Sequence, residues 1–147
     1  MKKLIFIIAV LAFALFACTQ TPPQKVANSF AQKFPNVTKV HWEQEEENEW
    51  EAEFKMNKKE MSATYDNEGT WLETKVEMNK KELPAVVANV IKEKYSDYKV
   101  DEAVEIETPD FKGYEIALEQ KEKEIELLIT STGEVTVKME DEEDEEK

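Results

Sequence analysis

Carboxylates and a single imidazole fall on alternate positions through much of this chain, and any chemistry it performs has to begin with them. Glu49, Glu51, Glu53 and Glu60, then Glu115, Glu119, Glu124 and Glu126, follow this pattern, with Lys39, His41 and Lys55 among them. Two carboxylates across a cleft can serve as acid and base in glycoside hydrolysis, but one of them needs an apolar pocket to keep its proton. Nothing in the sequence marks such a pocket, so the glutamates read as a solvated sheet face on which interleaved lysines relieve repulsion. His41 is the only histidine. A nucleophile relay would have to be built around it, and no serine stands in a tight glycine-flanked turn. A multi-histidine zinc site is excluded, and Asp66-Asn67-Glu68 before Gly69 does not have the spacing of an EF-hand loop, in which the glycine stands sixth and a glutamate twelfth. No catalytic residue, metal site or cofactor is assigned. The residues retained as a candidate binding face are Lys39, His41, Glu51, Glu53, Glu115 and Glu119.

The charge balance narrows the partners. The 147 residues include 33 acidic and 19 basic ones, a net charge of −14. A polyanion needs basic clusters to displace its counterions, so nucleic acid is excluded as a partner. Every basic residue is a lysine, which leaves no guanidinium fork for phosphate or carboxylate. The chain opens with Lys2 and Lys3, an apolar run from Leu4 to Phe16, and then Ala17-Cys18. That run is too short to span a bilayer and suits a signal peptide over residues 1–17. Leu15-Phe16-Ala17-Cys18 resembles a bacterial lipobox, which implies lipidation of Cys18, a tether over residues 18–22 and a lipid-anchored, periplasm-facing place in the cell envelope. As the only cysteine, Cys18 has no internal disulfide partner. At the other end, residues 140–147 are almost wholly acidic and read as a disordered tail.

Between these ends the periodicity alternates between helix and strand. Val26, Ala27, Phe30 and Phe34 share one helical stripe, opened by Pro22 or Pro23 and ended by Pro35. Val40 and Trp42 then alternate with polar residues, Glu45 to Asn48 form a polar turn, and Trp50, Ala52, Phe54 and Met56 make a half-buried strand. Met61, Ala63 and Tyr65 return on the same side, and Gly69 closes a turn that requires positive φ. Trp71 and Leu72 are adjacent, which calls for a bulge if both are to reach the core. The same series recurs. Pro84, Val87, Ile91 and Tyr95 answer Pro23, Val26, Phe30 and Phe34; Val104 and Ile106 answer Val40 and Trp42. Tyr114, Ile116 and Leu118 answer Trp50, Ala52 and Phe54, and the spacing from Trp50 to Tyr114 equals that from Gly69 to Gly133.

The predicted fold is α+β: two tandem helix-plus-four-strand repeats, residues 23–78 and 79–139, in one continuous antiparallel sheet with the helices on one face. Phe34-Pro-Asn-Val-Thr-Lys-Val-His-Trp-Glu, Trp50-Glu-Ala-Glu-Phe and Tyr65-Asp-Asn-Glu-Gly-Thr-Trp71 closely resemble the PepSY-like, beta-lactamase-inhibitor-protein-like family of bacterial secreted proteins. The resemblance implies an open sheet face and a binding or inhibitory role toward other envelope proteins, with no catalytic residues to carry over. Beta-lactamase inhibition itself is not expected, because the open face is rich in glutamate where tight interfaces favour aromatic and arginine anchors. The expected function is therefore non-enzymatic: a lipoprotein that engages an envelope protein or peptide through the open sheet face or its edge loops. The alternative is a small-molecule or cation sensor using the acidic surface.

Overall fold

The structure is a computed structural model that describes residues 19–140. The signal peptide, the lipidation of Cys18 and residues 141–147 of the expected tail lie outside the described residues. Two helices and one eight-stranded antiparallel sheet make up an α+β fold. Helix α1 (Gln24–Lys33) is followed by β1 (Val40–Glu46), β2 (Glu49–Met56), β3 (Lys59–Asp66) and β4 (Trp71–Glu77). Helix α2 (Ala85–Lys94) precedes β5 (Lys99–Glu107), β6 (Lys112–Gln120), β7 (Lys123–Thr130) and β8 (Val135–Glu140). The strands pair in chain order from β1 to β8.

Both helices start from a proline held extended. Pro23 (φ −53°, ψ 146°) and Pro84 (φ −53°, ψ 145°) each lend a carbonyl to the first turn, accepting from the Ala27 and Ala88 amides. A proline wastes no amide at a helix start, where amides have no internal partner. Lysines in the last turn, Lys33 in α1 and Lys92 and Lys94 in α2, oppose the negative end of the dipole.

Each helix seals a core of its own. Val26, Phe30 and Phe34 bury Trp50, Ala52, Phe54, Met61, Ala63 and Tyr65. That core is aromatic: the Phe30 ring lies 5.1 Å from Phe54 and 5.3 Å from Trp42, both edge-on. Val87 and Val90 seal an aliphatic core of Ala103, Ile116, Leu118, Ile125, Leu127 and Ile129. The Gly69 turn packs directly on α1, where a Cβ would lie 2.8 Å from the Lys25 carbonyl oxygen.

The structure departs from the sequence reading in three places, and at a fourth it has the bulge that the reading called for. Val104 and Ile106 do not answer Val40 and Trp42. Val40 and Trp42 stand opposite Phe54 and Ala52 and pack on the first core, whereas Val104 stands opposite Glu115 and Ile106 opposite Gly113. Ala103 takes the core position on β5, and Val104 and Ile106 are buried on the reverse side of the sheet. The β5–β6 connection is two residues longer, and β5 lacks next to its turn the irregularity that β1 has between Gln44 and Glu46; together they change the register by three residues, an odd number, and so turn every side chain over. The expected polar turn at Glu45 is strand, since β1 runs to Glu46 through an irregularity between Gln44 and Glu46. A bulge does occur beside Trp71, with Tyr65 opposite Trp71 but Thr64 opposite Glu73; Trp71 packs on the first core and Leu72 is half-buried. Finally, Glu140, expected as the first tail residue, ends β8.

Candidate binding face

The side chains that alternate with the two cores point away from the helices packed on them, and they fall into two chemically different patches. The first is acidic. Register sets His41 opposite Glu53 and Glu43 opposite Glu51 on β1 and β2, then Glu51 opposite Thr64 and Glu53 opposite Ser62 on β3. Glu51, Ser62 and Thr64 are buried, while Glu53 and His41 are half-buried. Glu45 leans into this patch. Desolvation, then the charges of Glu51 and Glu43 and a hydrogen bond with Glu51, push its carboxyl up to about 7. Desolvation and Glu51 also raise Glu53, against the opposing pull of His41, and desolvation with Glu46 and Glu73 raises Glu49. Lys55 pairs with Glu60 at the far end of the hairpin.

The second patch is a buried ion network lying over β4 to β8. Lys75 Nζ lies 3.1 Å from Glu115 Oε1 and 3.6 Å from Glu73 Oε1. Lys138 Nζ lies 3.0 Å from Glu115 Oε2 and 2.5 Å from Glu126 Oε1. Glu115 and Glu126 are only 5% and 1% exposed, so these two carboxylates are out of water, while their lysine partners keep a partly exposed side chain. Burial works against the charge on Glu115, but Lys75 and Lys138 overcome it and hold its carboxyl below the usual range. Burial likewise opposes the charge on both lysines, and it is outweighed at Lys75 chiefly by the charge of Glu115 and at Lys138 chiefly by a hydrogen bond to Glu126; both stay above their ordinary value. Val104 and Ile106 give the network its apolar surround, with Ile106 opposite Lys75 and Val104 opposite Glu115.

The six expected face residues are thus divided between different settings. His41, Glu51 and Glu53 come together. Glu115 is four strands from Glu51, roughly 19 Å away at sheet spacing, and is consumed by the ion network. Glu119 is half-buried between Lys99 and Glu124 in the register, and Lys39 is exposed one residue before β1. Sequence reasoning missed Glu45, placed in a turn, and Lys75 and Lys138, which the patterning of their strands did not single out. Asp66, weighed as a calcium ligand, instead accepts from the amides of Glu68 (2.9 Å) and Thr70 (2.8 Å) and closes its own turn. Its carboxyl is held below the usual range, chiefly by the Thr70 amide. Among the described residues no three His, Cys, Asp or Glu side chains are arranged to hold a metal ion.

Residues 18–69 and 48–136 match the family described as beta-lactamase-inhibitor-like, PepSY-like. The chain belongs to the PepSY-like family. No curated protein sequence matches it. Among crystal structures, a BLIP-like protein of Bacteroides fragilis is 25% identical with a TM-score of 0.71, over 83% of this chain and 86% of its own. A DUF2874 family protein of Bacteroides ovatus is similar at 23% identity and a TM-score of 0.70, over 80% and 89% of the two chains. A Bacteroides eggerthii protein, named as a candidate periplasmic protein, is 20% identical with a TM-score of 0.70, over 83% and 89%. The PepSY-like family description is inhibitor-like, and no helix among the described residues is long and apolar enough to cross a membrane.

Proposed function

We propose that this PepSY-like protein is a non-enzymatic lipoprotein of the bacterial envelope that binds a protein or peptide through the sheet face opposite its helices. It faces the periplasm from a lipid on Cys18, after removal of residues 1–17. The fold behind this is a tandem pair, residues 23–78 and 79–139, with both helices on one face. Support for the pairing comes from the twin proline starts of α1 and α2 and from the two glycine turns, at φ +83° and +88°. Support for the binding role comes from one observation above all. The acidic patch around Glu45 and Glu53 is left with its carboxyls raised, so it gains by meeting a cationic partner.

Affinity capture from envelope extract with the folded protein as bait tests this reading. A partner retained by the native protein and released by the double variant Glu51→Gln, Glu53→Gln supports it. Failure to enrich anything over a bait of equal charge counts against it. A second reading, a proton or cation sensor, draws on Glu45, whose carboxyl sits near neutrality. Calcium titration by calorimetry separates the two, since heat well above that of the isolated tail peptide favours the sensor.

A further inference from the structure

The residues between the proposed lipid and the first helix are not free. Trp42 on β1 donates its amide to Thr19 Oγ1 at 3.0 Å, and its carbonyl oxygen accepts from the Gln20 amide at 2.9 Å. Those two groups of Trp42 point outward, away from β2, and are the ones an edge strand offers to a newcomer. The start of the tether occupies them.

We propose that Thr19 and Gln20 dock the lipid tether onto β1, so that the β1 edge of the sheet rests against the bilayer surface and the β8 edge points away. This rests on the lipid-anchor reading above. Cys18 adjoins Thr19, so its Cα lies about 4 Å from a residue already fixed to the sheet. An undocked tether over residues 18–22 would instead allow a stand-off on the order of 20 Å and any orientation. With strands about 4.8 Å apart, β8 lies roughly 34 Å from β1, and the docked tether therefore places the two edges at very different heights. The headgroups that this edge meets must be neutral ones. Glu43, Glu45, Glu46 and Glu47 are exposed at or beside it, and an anionic leaflet would repel them.

The test uses the processed protein purified from membranes and returned to phosphatidylcholine nanodiscs carrying a gadolinium-chelating lipid. Amide signals of β1 are expected to be lost to paramagnetic broadening while those of β8 survive. The double variant Thr19→Val, Gln20→Pro removes the acceptor and the donor, and it should restore the β1 signals. Equal broadening of both edges in the native protein, or a pattern unchanged in the variant, overturns the placement. A mass spectrum keeps the two readings apart. Acylated Cys18 with even broadening sinks the placement alone, and unmodified Cys18 sinks the anchor reading and the placement with it.

Discussion

Glu45 and Glu115 are both glutamates turned away from the helices, and their environments push them in opposite directions. The Glu45 carboxyl, raised from 4.5 to about 7 by desolvation, Glu51 and Glu43, disfavours the charged form in the folded chain. Below about pH 4.5 it is protonated folded and unfolded alike and costs nothing. As pH climbs toward 7 the unfolded chain gives up its proton first, so stability is lost across that window. The group is largely open to water, which reduces the penalty to about 1 kcal/mol. Glu45→Gln should therefore gain about that much at pH 8 and nothing at pH 4, as measured by urea unfolding at the two pH values. Glu115 is the reverse case, held charged by Lys75 and Lys138 out of water. Removing one partner of a buried pair leaves a charge uncompensated, so Lys75→Met is expected to cost about 3 kcal/mol by the same measurement. Adding Glu115→Leu should not recover the whole loss, because Lys138 would then lose Glu115 as a partner while keeping the cost of its own burial.

At the scale of elements, tight turns set much of the geometry. Gly69 combines φ +83° with a Cβ position 2.8 Å from both the Lys25 carbonyl oxygen and Ser29 Oγ. Gly69→Ala must strain the turn and push it off α1 at once, at an expected cost of about 3 kcal/mol, read from the thermal midpoint. The β2–β3 hairpin turns through Asn57 (φ 53°) and Lys58 (φ 68°), a loop in which both central residues are left-handed. Lysine gains nothing there, and Lys58→Gly should stabilise the protein by about 0.5–1 kcal/mol.

The same elements show what was legible from sequence. Alternation in Trp50 to Met56 and Met61 to Tyr65 fixed β2 and β3 to the correct face because one side of each is apolar throughout. The phase of β5 was not legible, since Val104 and Ile106 have the residue types of a core stripe while Ala103, small and easily overlooked, takes the core position. Which face a strand presents depends on the register at its connection, and here the odd residue comes from the irregularity between Gln44 and Glu46 in β1, which has no counterpart beside the Thr108 to Phe111 turn, itself closed by the Thr108 amide on the Phe111 carbonyl. The ion network was hidden for a related reason. Glu115 and Glu126 were visible as face residues, but their lysines come from β4 and β8, far apart in the chain.

For the molecule as a whole, two cores that share no residue are joined through one sheet. The junction is the β4–β5 pairing, which runs only from Thr74 opposite Glu107 to Glu77 opposite Val104, about half the length of the β2–β3 pairing. Two contacts reinforce it: the Met78 amide donates to the Ala103 carbonyl oxygen at 3.0 Å, and Lys75 reaches across β5 to Glu115. Ile106 sits in the middle of this seam, 4% exposed and opposite both Lys75 and Gly113. Cooperativity between the halves therefore depends on a short stretch of sheet whose reverse side is filled by a few apolar and paired side chains. Ile106→Asp adds a buried carboxylate where an apolar side chain had been, at about 3 kcal/mol, and the cost falls on the seam more than on either core. The native protein is expected to melt in one calorimetric transition and the variant in two, as the aromatic and aliphatic cores part company. A single transition that merely moves to lower temperature would show that the coupling runs through more of the sheet than this seam.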